Sequence, residues 1–530
     1  MNSLFRVNGK PFFSIGGQTN NSTSYSRDKV RHAMATANRV GLNTIAAPVY
    51  WELLEPQEGQ FDFSQLEMLL EEAREHGLKL VVLWFGTWKN GNSHYVPQWL
   101  KRDTRRFLWA RAADGVPVCS LSPHCEATLE ADKKAFGALC SRIARINSDS
   151  TILGIQVENE PGLIGTPRDY GPEAQRLFCE KVPREVAEHM GRQGTWEEVF
   201  GYDAGEFFTA WAIARYIDRV AAVGKAALDL PMYTNVWLGE MHNRVAGIDY
   251  PSGGAVTKTL SVFRLGVPTL DTISPDIYLQ DQKTWDTLNA AYQDGIHPYY
   301  VPELLPGPLA ATRAIQAVVE NGLSGVHYFM IDVFSLPDGT LTPRFREAAE
   351  AMGILRDMRV LIERYQGTDK LYAVTQYEGM SEQYIDFGDY IGSVRFASKN
   401  GDLMAKNTDQ TMDNCHFALP DDPRRGKGII CYEGNGRFYL AGSNYRLMLF
   451  PKDHVVCSTS PAHSGDFLNQ RTQPFLSVCE GRFDALGNYQ VSGRRNGDEA
   501  DYGFWVTPDV GVVRVEMNLD FYRDCLGMSA

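Results

Sequence analysis

Two segments of the chain place carboxyl groups where an apolar run ends. Ile152-Leu153-Gly154-Ile155-Gln156-Val157 leads into Glu158-Asn159-Glu160-Pro161, and Tyr300-Val301-Pro302 leads into Glu303. Apolar runs of this length read as buried strands, so these polar groups stand where the chain leaves a sheet. Two carboxyls meeting across the mouth of such a sheet can flank one glycosidic bond, which is the constellation that glycoside hydrolysis needs. Strand alternation puts Glu158 on the same face as Glu160, which makes it the rival for that position. Other run ends supply Gln18, Asn20, Tyr50, Trp51, Trp84, Trp88, Asn90, His94, Asn235, Trp237, Tyr278 and His327. A pyranose presents an apolar face for aromatic rings and hydroxyls for paired donors and acceptors, so this mixture is chemically apt. A strand-end Trp is at least as often a core cap, and a lone His is more often structural.

The elements that must position these residues alternate along the first 350 residues: short β-rich runs, each followed by an amphipathic helical pattern. The runs are Phe12 to Gly17, Asn43 to Tyr50, Lys79 to Phe85, Ile152 to Val157, Met232 to Val236, Thr272 to Ile277, Tyr299 to Pro302 and Gly325 to Ile331. Val30, Ala33, Met34, Ala37 and Val40 line one face of the first helix, which Gly41 ends. Ser64 with Glu67 reads as a capping box opening the second. Eight such units predict an α/β protein with a (β/α)8 TIM barrel over residues 1–366. An open doubly wound sheet is disfavoured because Gly16-Gly17-Gln18 lacks the phosphate-turn spacing. In residues 367–530 the helical period fades. Alternating segments such as Tyr372 to Tyr377, Ser393 to Phe396, Gly436 to Leu440 and Val512 to Met517 predict an all-β, sandwich-like accessory domain, with a turn at Leu419-Pro420-Asp421-Asp422-Pro423.

At 530 residues the chain is too long for one compact core. Its formal charge of -13 carries no long like-charge block, which disfavours nucleic acid and favours a neutral substrate. No stretch is apolar enough to span a membrane, and Met1 to Phe13 lacks a leader-like apolar run, so a cytoplasmic location is expected. The nine cysteines are scattered without a CxxC pair and read as reduced thiols. Convergence of Cys119, His124, Cys125 and Cys140 on a metal is the alternative, at a spacing that matches no standard zinc pattern. The expectation is no metal and no cofactor, since two carboxylates suffice for the chemistry.

The Asn159-Glu160 pair resembles the Asn-Glu that ends the fourth strand in the clan A superfamily of retaining (β/α)8 glycosidases. Gly154-Ile155-Gln156-Val157-Glu158-Asn159-Glu160 is similar to the acid/base motif of glycoside hydrolase family 35. Val49-Tyr50-Trp51-Glu52-Leu53-Leu54-Glu55-Pro56 with Gly59-Gln60-Phe61-Asp62-Phe63 resembles the second-strand signature of families 35 and 42. Pro48, the segment Trp84 to Asn90 and the surroundings of Glu303 depart from family 35, so the chain looks like a divergent relative. The resemblance implies a retaining, exo-acting β-galactosidase working through a covalent glycosyl-enzyme. Glu160 would be the general acid/base and Glu303 the nucleophile, Asn159 would bind the sugar 2-hydroxyl, and Tyr278 would support the nucleophile. It implies a β-linked galactoside or related oligosaccharide as substrate and, by analogy, a homo-oligomer. Another β-glycosidase, β-glucosidase-like, is the nearer alternative, and a non-catalytic carbohydrate-binding protein the distant one.

Overall fold

The computed structural model describes residues 2–239, 244–278, 281–377, 379–380, 382–396, 425–452, 474–501, 503–521 and 524. The chain divides into two compact units. One comprises Asn2–Leu305 with Ser324–Thr340, and the other Pro306–Leu323 with Leu341–Ala530 and Met1.

The first unit contains a closed barrel of eight parallel strands, paired in chain order. They are β1 (Ser14–Gln18), β2 (Thr44–Tyr50), β3 (Lys79–Lys89), β4 (Ile152–Asn159), β5 (Met232–Trp237), β6 (Thr272–Ile277), β7 (Val301–Leu304) and β8 (Gly325–Phe329). Closure is made by β8 on β1, with Val326 opposite Ile15 and Phe329 opposite Gln18. Helices follow the strands in chain order: α1 (Arg27–Arg39), α2 (Ser64–Glu75), α3 (Glu126–Ile146), α4 (Ala204–Ala227), α5 (Leu260–Gly266) and α6 (Gln282–Tyr292), while α7 (Pro308–Glu320) and α8 (Arg346–Tyr365) fall within the second unit. Val30, Ala33, Met34 and Ala37 form the buried stripe of α1, and Gly41 ends it at φ 78°.

Several local expectations are corrected. The first strand begins at Ser14, because Lys10–Phe12 pairs antiparallel with Phe5–Val7 instead of joining the barrel. Phe5 of that hairpin packs edge-on to Tyr300, with ring centroids 5.2 Å apart, at the N-terminal end of the barrel core. The capping box at Ser64 does not form. Asp62 Oδ1 accepts the Ser64 backbone N–H at 2.8 Å, and Glu67 is spent on Arg142. A complete box forms instead at Thr195 and Glu198. Gly16, which excluded a phosphate turn, is needed for packing: a methyl group there would stand 2.2 Å from His327 Nε2.

In the second unit, ten antiparallel strands among the described residues form two sheets. These are β9 (Leu371–Thr375), β10 (Glu382–Asp386), β11 (Tyr390–Phe396), β12 (Lys427–Gly434), β13 (Arg437–Ser443), β14 (Tyr445–Pro451), β15 (Phe475–Phe483), β16 (Tyr489–Arg495), β17 (Phe504–Val506) and β18 (Val512–Met517). The six-stranded sheet runs β9-β12-β13-β18-β15-β16 and the four-stranded sheet β10-β11-β14-β17. Inward residues of both, among them Val394, Leu447 and Phe504 from one and Val374, Ile430 and Val515 from the other, share one core. The turn expected at residues 419–423 lies outside the described residues. Among the described residues no helix is long and apolar enough to cross a membrane.

Helix α8 is tied to these sheets by a buried charge. Lys427 Nζ, on β12 and fully buried, lies 2.7 Å from Glu347 and 2.9 Å from Glu350 of α8. Removing one partner of a buried ion pair typically costs about 3–5 kcal/mol, because the other charge stays buried and uncompensated. Lys427→Ala should therefore lower the unfolding free energy of the β-rich unit, measured by denaturant titration, by an amount in that range. A triple variant, Lys427→Met with Glu347→Gln and Glu350→Gln, should recover most of the loss. A single variant as stable as the parent would show that the pair is solvated.

Candidate active site

Strand β3 is longer than its apolar run suggested. The segment Gly86-Thr87-Trp88-Lys89, beyond the apolar run that ends at Phe85, continues the strand. Trp84 lies opposite Val157 and Lys89 opposite Asn159, so five residues along β3 face two along β4. Such a bulge leaves backbone amides without a ladder partner. Glu158 fills the gap: its Oε1 accepts the Thr87 N–H at 3.1 Å and its Oε2 the Trp88 N–H at 2.6 Å. Gly86 makes room, since a Cβ there would stand 2.7 Å from Glu158 Oε1.

Glu158 therefore does not share a face with Glu160, contrary to simple alternation. Both residues adopt left-handed backbone, with φ 63° at Glu158 and 44° at Glu160, which turns their side chains apart. Glu158 is fully buried against Asp132 of α3, and burial followed by that neighbouring carboxyl pushes it well above the usual carboxylate range. Asp132 in turn accepts from Trp84 Nε1 at 2.9 Å, Thr87 Oγ1 at 2.8 Å and the Tyr216 hydroxyl at 3.1 Å.

Glu160 instead meets Glu303 and Asp276. One carboxyl oxygen from each of the three lies within 4.8 Å of the others, and all three residues are buried. Asp276 and Glu303 are register partners on β6 and β7. Three donors converge on Glu303: Gln18 Nε2 at 2.6 Å and Asn235 Nδ2 at 3.4 Å to Oε1, and the Tyr278 hydroxyl at 2.6 Å to Oε2. Asn235 is the hub of the cluster. Its Oδ1 accepts the Glu160 backbone N–H at 2.8 Å, and its Nδ2 also donates to Asp276 Oδ2 at 2.6 Å. Burial, then the charge on Glu303, pushes Glu160 up to about 7. Burial and the same charge hold Asp276 well above the usual range, and Tyr278 is raised by burial and by Glu303.

A cavity of about 360 Å³ opens on this cluster. Of the residues expected from sequence, Asn90, Glu160, Trp237, Tyr278 and Glu303 line it. Gln18 and Asn235 reach it through Glu303. Asn159 is fully buried, and neither atom of its amide has a partner among the described residues. The others serve packing. Tyr50 is buried and donates to the Asn21 carbonyl at 2.6 Å, Trp51 donates to Glu55 at 2.9 Å, Trp84 to Asp132, and Trp88 packs edge-on to Tyr216. His94 is exposed and outside the lining, and Asn20 gives its backbone N–H to Asp332. His327 is fully buried between Ser14 Oγ at 2.8 Å and the Tyr300 hydroxyl at 3.0 Å, and burial lowers it to about 3. It is a core histidine. Sequence reasoning missed Asn21, Lys89, Leu238, Arg244, Asp276 and Phe329 in the lining. Only Asp276 had a signal, its place beside Tyr278 at a strand end.

Glu160, Asp276 and Glu303 are also the one set among the described residues close enough for a shared cation. Their oxygens already accept from Gln18, Tyr278 and Asn235, and two of the three carboxyls are raised, so the cluster suits a shared proton better. Cys119, His124, Cys125 and Cys140 do not form such a set. His124 stacks on Phe208 with centroids 4.9 Å apart, and Cys140 is buried in α3. The six described cysteines are free thiols.

Residues 20–249 match the glycoside hydrolase family 42 model, described as beta-galactosidase, and residues 348–507 match a domain of unknown function, DUF5597. A beta-galactosidase of Xanthomonas manihotis is 26% identical over 182 residues, which is 33% of this chain and 28% of that protein. The human beta-galactosidase-1-like protein 3 is 29% identical over 187 residues, 33% of this chain and 26% of that one. The match thus spans little more than a quarter of the length of these curated relatives. Among solved structures, the catalytic domain of beta-amylase from Paenibacillus polymyxa superposes with a TM-score of 0.50 at 14% identity, covering 64% of this chain and 98% of that one, a likeness of fold. A family model on the barrel, two sequence relatives and a closed (β/α)8 architecture agree: the chain is a relative of the clan A (β/α)8-barrel glycoside hydrolases.

Proposed function

We propose that the protein is a retaining, exo-acting glycoside hydrolase whose substrate is a β-linked galactoside, with Glu160 as acid/base and Glu303 as nucleophile. The observation that carries this reading is the separation of the two carboxyls, with facing oxygens within 4.8 Å. Retaining enzymes hold the pair about 5–5.5 Å apart, whereas inverting enzymes need about 6.5–9.5 Å to admit a water. The family 42 match supports the sugar, and a cavity of about 360 Å³ has the size of a small-ligand site rather than a long groove.

In the first step a Glu303 oxygen bonds to the anomeric carbon as the glycosidic C–O bond breaks, and Glu160 passes its proton to the departing oxygen. Gln18, Tyr278 and Asn235 hold the attacking carboxylate in place. Once Glu303 is esterified its charge no longer opposes ionisation of Glu160. Glu160 then takes a proton from water, whose oxygen bonds to the anomeric carbon as the ester breaks and Glu303 regains its charge. The same neighbour thus raises Glu160 for the first step and releases it for the second. Asn159, fully buried just behind the cavity lining with both amide atoms unpartnered among the described residues, would bind a sugar hydroxyl in this reading.

Glu160 must be protonated to start the reaction and sits at about 7, so kcat/KM should fall as pH rises through about 7. A profile flat to pH well above that value would remove Glu160 from the acid role. Glu160→Ala should lose about 10²–10⁴-fold on glycosides with poor leaving groups, such as a second sugar, and much less on p-nitrophenyl glycosides, whose leaving group needs little acid assistance. Azide should then give a β-glycosyl azide with Glu160→Ala and an α-glycosyl azide with Glu303→Ala. Full activity of either variant would refute the assignment, and turnover of a β-glucoside instead of the β-galactoside would keep the mechanism and change the sugar. Treatment with EDTA should leave turnover unchanged; a loss restored by a divalent cation would mean that the three carboxyls hold a metal.

A further inference from the structure

The third carboxyl of the cluster has no part in the two-step scheme above, yet its surroundings are as specific as those of the other two. Asp276 is 2% exposed and lines the cavity between the register partner Glu303 and the facing Glu160. Its two oxygens differ. Oδ2 accepts from Asn235 Nδ2 at 2.6 Å, while Oδ1 is buried with no donor among the described residues. A buried anionic oxygen without a donor is costly, whereas a hydroxyl in that position is satisfied by giving its proton to a neighbouring acceptor. The acceptor at hand is Glu160, whose carboxyl faces that of Asp276 with one oxygen of each within 4.8 Å.

We propose that Asp276 is a positioning residue for Glu160, a neutral carboxylic acid that donates its Oδ1 proton to the Glu160 carboxyl and holds it through both steps. The idea rests on Glu160 being the acid/base. The Asp276 proton is not transferred: it stays on Oδ1 while Glu160 loses its own proton to the leaving group and later gains one from water. What it supplies is a donor that strengthens when Glu160 becomes a carboxylate. The groups facing Asp276 agree with a neutral state. Glu303 and Glu160 both oppose its ionisation, and Lys89 at the end of β3 is the cation that favours it. The hydroxyls of Tyr233, Tyr278 and Tyr300 lie within its field and are themselves held protonated by burial.

The test compares Asp276→Asn, which keeps a neutral donor and an acceptor, with Asp276→Ala, which keeps neither. The alkaline limb of kcat/KM should stay within about 0.3 pH unit in the Asn variant and move up by about 0.5–1 unit in the Ala variant, which has lost a donor to the charged form. Activity of the Asn variant should remain within about tenfold of the parent, with the Ala variant losing about 100-fold in kcat. A downward move of the limb in both variants would show that Asp276 is a carboxylate in the parent and overturn the proposal. A rise in KM with an unmoved limb would make it a sugar ligand instead, and overturn it equally. Infrared difference spectra at neutral pH decide the proton independently of turnover. The Asn variant should lack one carbonyl stretch of a protonated carboxylic acid that the parent shows, and no missing band would refute the neutral state. Because that readout needs no substrate, a protein that hydrolyses none of the glycosides would fail the functional reading without touching the state of Asp276.

Discussion

The bulge where β3 runs five residues past two of β4 is the constraint on which the site depends. It creates the unladdered amides of Thr87 and Trp88, and the Glu158 carboxyl enters the barrel wall to satisfy them. To do so Glu158 must abandon strand geometry for left-handed backbone, and Glu160 follows two residues later. For a residue with a side chain that conformation costs about 1–2 kcal/mol, so both would relax without the contacts that hold them. Those contacts reach beyond the two strands: Glu158 meets Asp132 of α3, which binds Trp84 and Thr87 of β3 in turn. Strand, bulge and helix thus lock one another, and the outcome is that Glu160, not Glu158, faces the cavity.

Electrostatics at the strand ends follow from crowding. Glu160, Asp276 and Glu303 are too close for all three to ionise in a dry site, so their protonation states are properties of the cluster. The three donors on Glu303 mark it as the acceptor, and burial with the Glu303 charge raises the other two above the usual carboxylate range. Asn235 enforces this geometry with one amide, linking the Glu160 backbone, the Asp276 carboxyl and the Glu303 carboxyl from three different strands. A primary amide can do so because it carries an acceptor and two donors in one plane.

Much of this architecture was legible along the chain. All eight barrel strands fall on apolar runs of the sequence, and Val512–Met517 ends where its alternation ends. That Glu160 and Glu303 line the mouth was legible too, because each follows a buried apolar run where the chain leaves the sheet. The signals that failed were those in which one sequence pattern serves two environments. Trp51, Trp84 and Trp88 follow apolar runs as a sugar platform would, yet each is buried among protein partners. Ser64 and Glu67 have capping spacing, but Asp62 reached the free N–H first.

The order of strands, the two textures and the carboxyl pair were determined by the sequence itself, since hydrophobic periodicity and residue type are local properties that burial then rewards. Which polar residue at a strand end enters the cavity was decided by tertiary structure. Lys89 reaches it because β3 bulges, Asp276 because β6 registers with β7, and His327 fails to because Ser14 and Tyr300 claim both of its nitrogens. Each of these depends on hydrogen bonds between residues far apart in the chain, and no local period encodes a partner that only closure of the barrel brings near.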